Sequence, residues 1–188
     1  MSKFSEYEQV AKDNNIGGGS DYWRPQPGAN KVRILSEFEA HGKHFIQADN
    51  KSYECIGLEK GCVHCINGEK VKPEFLMWVL DRTDGVVKLG QVGYSVVKAI
   101  GQLSRSEDWG FIDLPEYDLI VNRDGEKMQT RYTVTPTPNK TPLTAEEEVL
   151  VKENVKDLKE IIEGYKKKVM DEMPNKEEDK KEEAVPAF

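Results

Sequence analysis

Apolar and polar positions alternate in short runs through the first two-thirds of the chain and then change to a helical repeat. In residues 31–38 Val32 and Ile34 alternate with Arg33 and Leu35, which predicts a first strand. His41-Gly42-Lys43 reads as a turn and residues 44–47 as a short second strand. Residues 75–80, Phe-Leu-Met-Trp-Val-Leu, form a continuous apolar run of strand length. They are read as the central strand, with Trp78 in the core. Residues 81–85 turn the chain, and 86–89 continue the sheet. The period then lengthens. Ser95 caps a predicted helix whose Val96, Ile100 and Leu103 share one face. Residues 117–123 and 128–134 flank Asp124-Gly125, a strong hairpin signal. Pro136, Pro138 and Pro142 stop the second arm.

Thr144 and Glu147 have the spacing of a capping box. Behind them Val151, Val155, Leu158, Ile162, Tyr165 and Val169 recur at steps of 4, 3, 4, 3 and 4. That stripe predicts one amphipathic helix over 143–173. It spans fewer than four heptads, so packing on the β domain is favoured over a coiled coil. Residues 174–188 are mostly charged until Val185-Pro186-Ala187-Phe188 and read as a disordered acidic tail. At the other end, Phe4, Tyr7 and Ala11 suit one face of a short helix, and Gly17-Gly18-Gly19-Ser20 make a flexible joint. The domain reading is therefore an arm and linker at 1–20, a β domain at 21–142, the helix and the tail. The strand order, with one helix between strands three and four, is the layout of a five-stranded OB-fold-like barrel, an oligonucleotide-binding architecture.

One stretch adds candidate chemistry. All three cysteines, Cys55, Cys62 and Cys65, fall within eleven positions, the last two as Cys-x-x-Cys. A disulfide framework favours an even number, and a redox pair would leave Cys55 over. Three cysteines and one histidine are a standard structural set for Zn²⁺. His44 is the preferred fourth ligand, because it opens an apolar run that a strand can hold. His41 lies beside Gly42 in a turn, and His64 sits inside the Cys-x-x-Cys turn pointing away. The zinc loop, 44–65, is expected as an insertion between the second and third strands. A closed four-ligand site is structural and hydrolyses nothing.

Charge refines this picture. The net charge is −7, and residues 143–188 hold nine Lys against fourteen Asp and Glu, while 22–140 hold sixteen of each sign. The body is neutral and the C-terminal part acidic. No apolar run reaches the length of a membrane span, and no signal peptide opens the chain. With reduced cysteines, that suggests a cytoplasmic protein without membrane partners. No nucleophile-base set, phosphate-binding glycine loop or His-Glu-x-x-His occurs, so the chain is not read as an enzyme.

His44 with the three cysteines, residues 30–35, residues 79–88 and residues 117–121 together resemble the zinc-containing single-stranded DNA-binding proteins of tailed bacteriophages, the helix-destabilising family. The resemblance covers about residues 22–140. The tail resembles that of bacterial single-strand-binding proteins, which end in Pro-Phe, although here Ala187 separates Pro186 from Phe188. The resemblance implies sequence-non-specific binding of single-stranded DNA during replication, recombination or repair, and docking of replication or recombination proteins on the tail. Self-association is open. Cations would hold phosphates and aromatic faces would stack on bases. The candidates on the expected face are Arg24, Arg33, Lys43, Phe45, Tyr53, Lys60, Arg82, Lys88, Tyr94, Arg123, Lys127, Arg131 and Tyr132. Two other readings stand beside it: a zinc-stabilised adaptor that binds a protein through its C-terminal helix and tail, and an RNA-binding module.

Overall fold

The computed structural model describes residues 22–48, 50–126 and 129–171. The N-terminal arm, Lys127 and the acidic tail lie outside the described residues. The chain divides into two compact units. The first comprises 22–40 and 73–156, and the second 41–72 and 157–171, as far as these are described.

The first unit is built on a mixed sheet. Its strands are β1 (Tyr22–Trp23), β2 (Gly28–Ile34), β5 (Val71–Asp81), β6 (Val86–Gly93), β7 (Leu119–Asp124) and β8 (Arg131–Pro136), in the order β1-β6-β5-β2-β7-β8. All neighbours are antiparallel except β1 and β6. Alternation does what the sequence indicates. Val32 and Ile34, Met77 and Val79, and Leu119 and Val121 turn to one core, joined by Trp23, Val92 and Tyr117. Helix α2 (Tyr94–Leu103) adds Val96 and Ile100 to that core and contacts β8. It starts one residue before Ser95, with Gly93 at the cap position.

The sheet is not a closed barrel, and six strands lie along this path where five were expected. The reason lies at one edge. Tyr22 and Trp23 pair with Leu89 and Gly90 on the side of β6 that a closing strand would use. Gly90 suits this contact, because an added Cβ would come within 3.3 Å of the Trp23 ring and of Met77. Trp78 also departs from expectation. It is half-buried on the face of β5 opposite Met77 and Val79, and its indole N–H donates to the Lys156 carbonyl at 2.8 Å.

Two helices replace the single C-terminal helix. Helix α3 (Ala145–Asn154) has the full capping box at Thr144 and Glu147. Helix α4 (Leu158–Asp171) follows after a break, starting where Asp157 Oδ1 accepts the Lys159 N–H at 2.8 Å.

The second unit is a hairpin with a loop and a helix. Strand β3 (Glu39–Ile46) enters it at His41 and pairs antiparallel with β4 (Lys51–Glu54). A 3-10 turn (Leu58–Lys60) and a one-turn helix, α1 (Val63–Ile66), follow. Leu158 and Ile162 of α4 are buried, and α4 contacts β4. This hairpin and its loop are inserted between β2 and β5, the first and second long strands of the sheet. Residues 44–46 of the expected second strand fall in β3, residues 75–80 of the expected third fall in β5, and the three cysteines lie between them in the chain, as the sequence indicates.

Candidate metal centre

His44, Cys55, Cys62 and Cys65 come together, each offering one donor atom, with all four atoms within 4.8 Å of one another. His44 Nε2 lies 3.5 Å from Cys62 Sγ and 3.4 Å from Cys65 Sγ, and the Cys55 and Cys65 sulfurs are 3.5 Å apart. A tetrahedral Zn²⁺ with Zn–S of about 2.3 Å and Zn–N of about 2.0 Å separates its donors by roughly 3.5–3.8 Å. The donor set and its spacing therefore fit a structural metal site such as zinc.

Each ligand is delivered by local structure. His44 sits in β3 opposite Tyr53, fully buried. His41 is three residues away on the same strand, so it faces the other side. There its Nδ1 meets Glu54 Oε1 at 2.7 Å, and its ring lies 6.4 Å from that of Tyr165. This removes His41 as the ligand. The His64 ring stacks between neighbours, 4.7 Å from Tyr53 and 5.3 Å from His44, and does not join the donor set. Cys55 N–H donates to the Gly42 carbonyl at 2.8 Å. Gly42 must be glycine, since a Cβ there would lie 2.7 Å from Val71 and 3.3 Å from Cys55. Gly61, at φ 75°, ends the 3-10 turn and presents Cys62. Cys62 N–H donates to Gly57 carbonyl at 3.1 Å, and Cys62 in turn accepts from Ile66 N–H at 3.0 Å.

The three thiols are not equivalent. Burial pushes Cys62 up, but backbone N–H groups around its sulfur, led by that of Cys65, outweigh this and hold it below the usual thiol range. Cys65 is pushed up to about 12 by its hydrogen bond with the Cys55 thiol, then by burial and by Cys62. A bound cation reverses that resistance, since a coordinating thiol gives up its proton. Among the described residues, His44 Nδ1 is buried without a hydrogen-bond partner. Its Nε2 faces the sulfurs, so the ring is oriented by packing and by the metal position.

The expected nucleic-acid residues separate into groups. Arg33, Arg82 and Lys88 are used within the first unit. Arg33 Nε donates to Asp118 Oδ1 at 2.9 Å, and its Nη2 to the Thr141 carbonyl. Arg82 Nε donates to Asp118 Oδ2 at 3.0 Å, and Nη1 to Glu147. Lys88 pairs with Asp81 at 2.9 Å and with Asp84. These three are internal cations and are set aside. Arg123 donates to the Pro25 carbonyl at 3.2 Å, and Tyr132 packs against the core. Arg24, Tyr94 and Arg131 are exposed. Arg24 lines a cavity of about 310 Å³ with Tyr22, Gln26 and Asn30. In the second unit Lys60 and Phe45 are exposed, Lys43 lies opposite Glu54, and Tyr53 stacks on His64. Lys72, over the Phe45 ring, was not singled out by the sequence, because a lysine two residues past a loop carries no signal of its own.

Compared with protein-family models, curated proteins and solved structures, the chain matches none. Among the described residues no helix is long and apolar enough to cross a membrane.

Proposed function

We propose that this chain binds single-stranded DNA without sequence preference, and that His44, Cys55, Cys62 and Cys65 hold a structural Zn²⁺. One observation carries the reading. The path β6-β5-β2-β7-β8, with α2 between β6 and β7 in the chain, supports reading these strands as the third, second, first, fourth and fifth of a partly open OB-fold. In that reading the metal-ligating insertion is the connection between strands one and two, which such folds use toward oligonucleotides. Zinc would fix its shape, and no chemical step is needed. The likeness to phage helix-destabilising proteins agrees with this use.

A second reading is favoured by a different observation. Leu76 and Leu80 lie on the face of β5 opposite the core and are fully buried, and Arg33, Arg82 and Lys88 are paired internally. A covered outer face and three strand cations already paired within the first unit suit a zinc-stabilised adaptor that binds protein instead. Fluorescence anisotropy of a labelled single-stranded oligonucleotide, titrated with metal-loaded full-length chain at several salt concentrations, separates the two. Salt-sensitive binding that a duplex competitor does not displace supports the first reading, since the slope counts released counterions. No binding at low salt supports the adaptor.

A further inference from the structure

Phe45 exposes its ring from β3, with 43 % of the residue accessible. The Lys72 ammonium stands over that ring, 5.5 Å from its centroid. Ser52, directly across on β4, is small and exposed, so it adds little cover. Lys43, two residues earlier, shares the Phe45 side of the strand. The one carboxylate that β4 places on this side is Glu54, and it is buried against His41. The patch is therefore an apolar plate with a cation above it, and the carboxylate that β4 places on its side is engaged elsewhere.

We infer that Phe45 and Lys72 form a stacking subsite for one nucleotide of single-stranded DNA. The inference rests on the proposed function and gives it a location in the second unit. A base laid on the ring uses the flat apolar face, and the adjoining phosphate takes the Lys72 ammonium. Both demands point to one ligand class. A duplex keeps its bases stacked on each other and has none to offer the ring. An apolar protein surface would bury the ammonium without a counter-charge, which is unfavourable. His44, the next residue along, faces the opposite side of the strand toward the three sulfurs, so a bound metal would also fix the plate.

The test uses metal-loaded full-length chain and a labelled oligothymidylate, with metal content confirming that each variant is folded. F45A is expected to bind about five- to a hundred-fold more weakly and F45W to keep most of the affinity. K72A is expected to lower the slope of log K against log salt by about 0.7. Photocross-linking of wild-type chain to an iodouracil-containing strand should label the peptide holding residue 45. If wild type binds while F45A and K72A bind equally well and the cross-link maps elsewhere, the subsite is overturned and the broader reading stands. If wild type does not bind at low salt, both fall.

Discussion

Arg33 donates from Nε to Asp118 Oδ1 at 2.9 Å, with the Arg33 side chain 4 % exposed and that of Asp118 7 %. Arg82 reaches the same carboxylate from the end of β5 at 3.0 Å, and Lys31 lies 3.4 Å from it. Pairing register makes this possible. Val32 is opposite Asp81 on one side and Leu119 on the other, so the residues next to them meet. Removing Asp118 would leave a buried guanidinium without its anion. Asp118→Ala should therefore destabilise the chain by about 3–5 kcal/mol, read as a lower urea midpoint. Arg131→Ala, at an exposed position, should stay within about 0.5 kcal/mol. Similar midpoints for the two variants would refute this account of the network.

The pH dependence follows from three groups in the first unit. Burial pushes Asp81 up, but Lys88 and the Thr83 N–H outweigh it and hold the carboxyl below its usual range. Glu147 is likewise raised by burial and brought lower overall by the Thr144 N–H and Arg82. A depressed carboxyl contributes stability in full above its unfolded pKa, near about 4, and loses it as pH falls through the folded value. Lys88 is pushed down by burial and raised overall by Asp84 and Asp81. Its contribution is complete below the unfolded value of about 10.4 and is lost as pH rises through the folded one. Stability from these groups should be level between roughly pH 5 and 10 and fall on both sides. Asp81→Asn should flatten the acid limb of urea midpoint against pH. An unchanged acid limb would mean that the pair does not stabilise the fold.

The parts legible in the sequence are those set by local pattern. Met77 and Val79 in β5, the helix through Val96 and Ile100, and the Asp124-Gly125 hairpin each follow from periodicity or turn chemistry. The ligand set was legible because thiols are rare and clustered. What was hidden depended on pairing at a distance. Nothing about Tyr22-Trp23 announces a strand, since two residues have no period; β6 supplies the edge. β5 begins at Val71, four residues before the apolar run that announces it, and takes in Pro73. The apolar stripe from Val151 to Val169 hid the break between α3 and α4. There Asn154 donates to the Leu150 carbonyl and Asp157 accepts from Lys159 N–H, local bonds that compete with a continuous helix. Arg33 and Lys88 look like solvated strand cations until the register shows their carboxylates.

The tail gives a prediction that rests on sequence and the proposed function. Residues 174–188 hold five Asp and Glu against three Lys, so removing them takes the net charge from −7 to −5. An acidic segment competes with phosphates for the same cations. A chain ending at Met173 should bind single strands more tightly than the full chain at low salt, with the difference shrinking as salt is raised. Equal affinities at matched low salt would rule out this competition.

The metal centre makes the most specific prediction, because two histidines three residues apart face opposite ways. His44→Ala removes a donor 3.4 Å from Cys65 Sγ, whereas His41→Gln alters the pair with Glu54 and the ring contact with Tyr165 and no metal donor. After dialysis against a weak chelator, His41→Gln should keep one equivalent of zinc and His44→Ala should lose it. Cobalt substitution should give thiolate-to-metal absorption in wild type and a shifted or absent signal in His44→Ala. Binding should also release protons, because Cys65 holds its own up to about 12 until a cation arrives. Apparent affinity should therefore rise with pH across the neutral range. Loss of zinc from His41→Gln with retention in His44→Ala would exchange their roles. A pH-independent affinity would show that the thiols are not the ligands. Chelation of the wild type should loosen the hairpin, since the loop from Cys55 to Cys65 has Ile56 and Cys62 as its buried apolar residues. Faster amide exchange over residues 41–72, with 73–126 unchanged, is the expected signature.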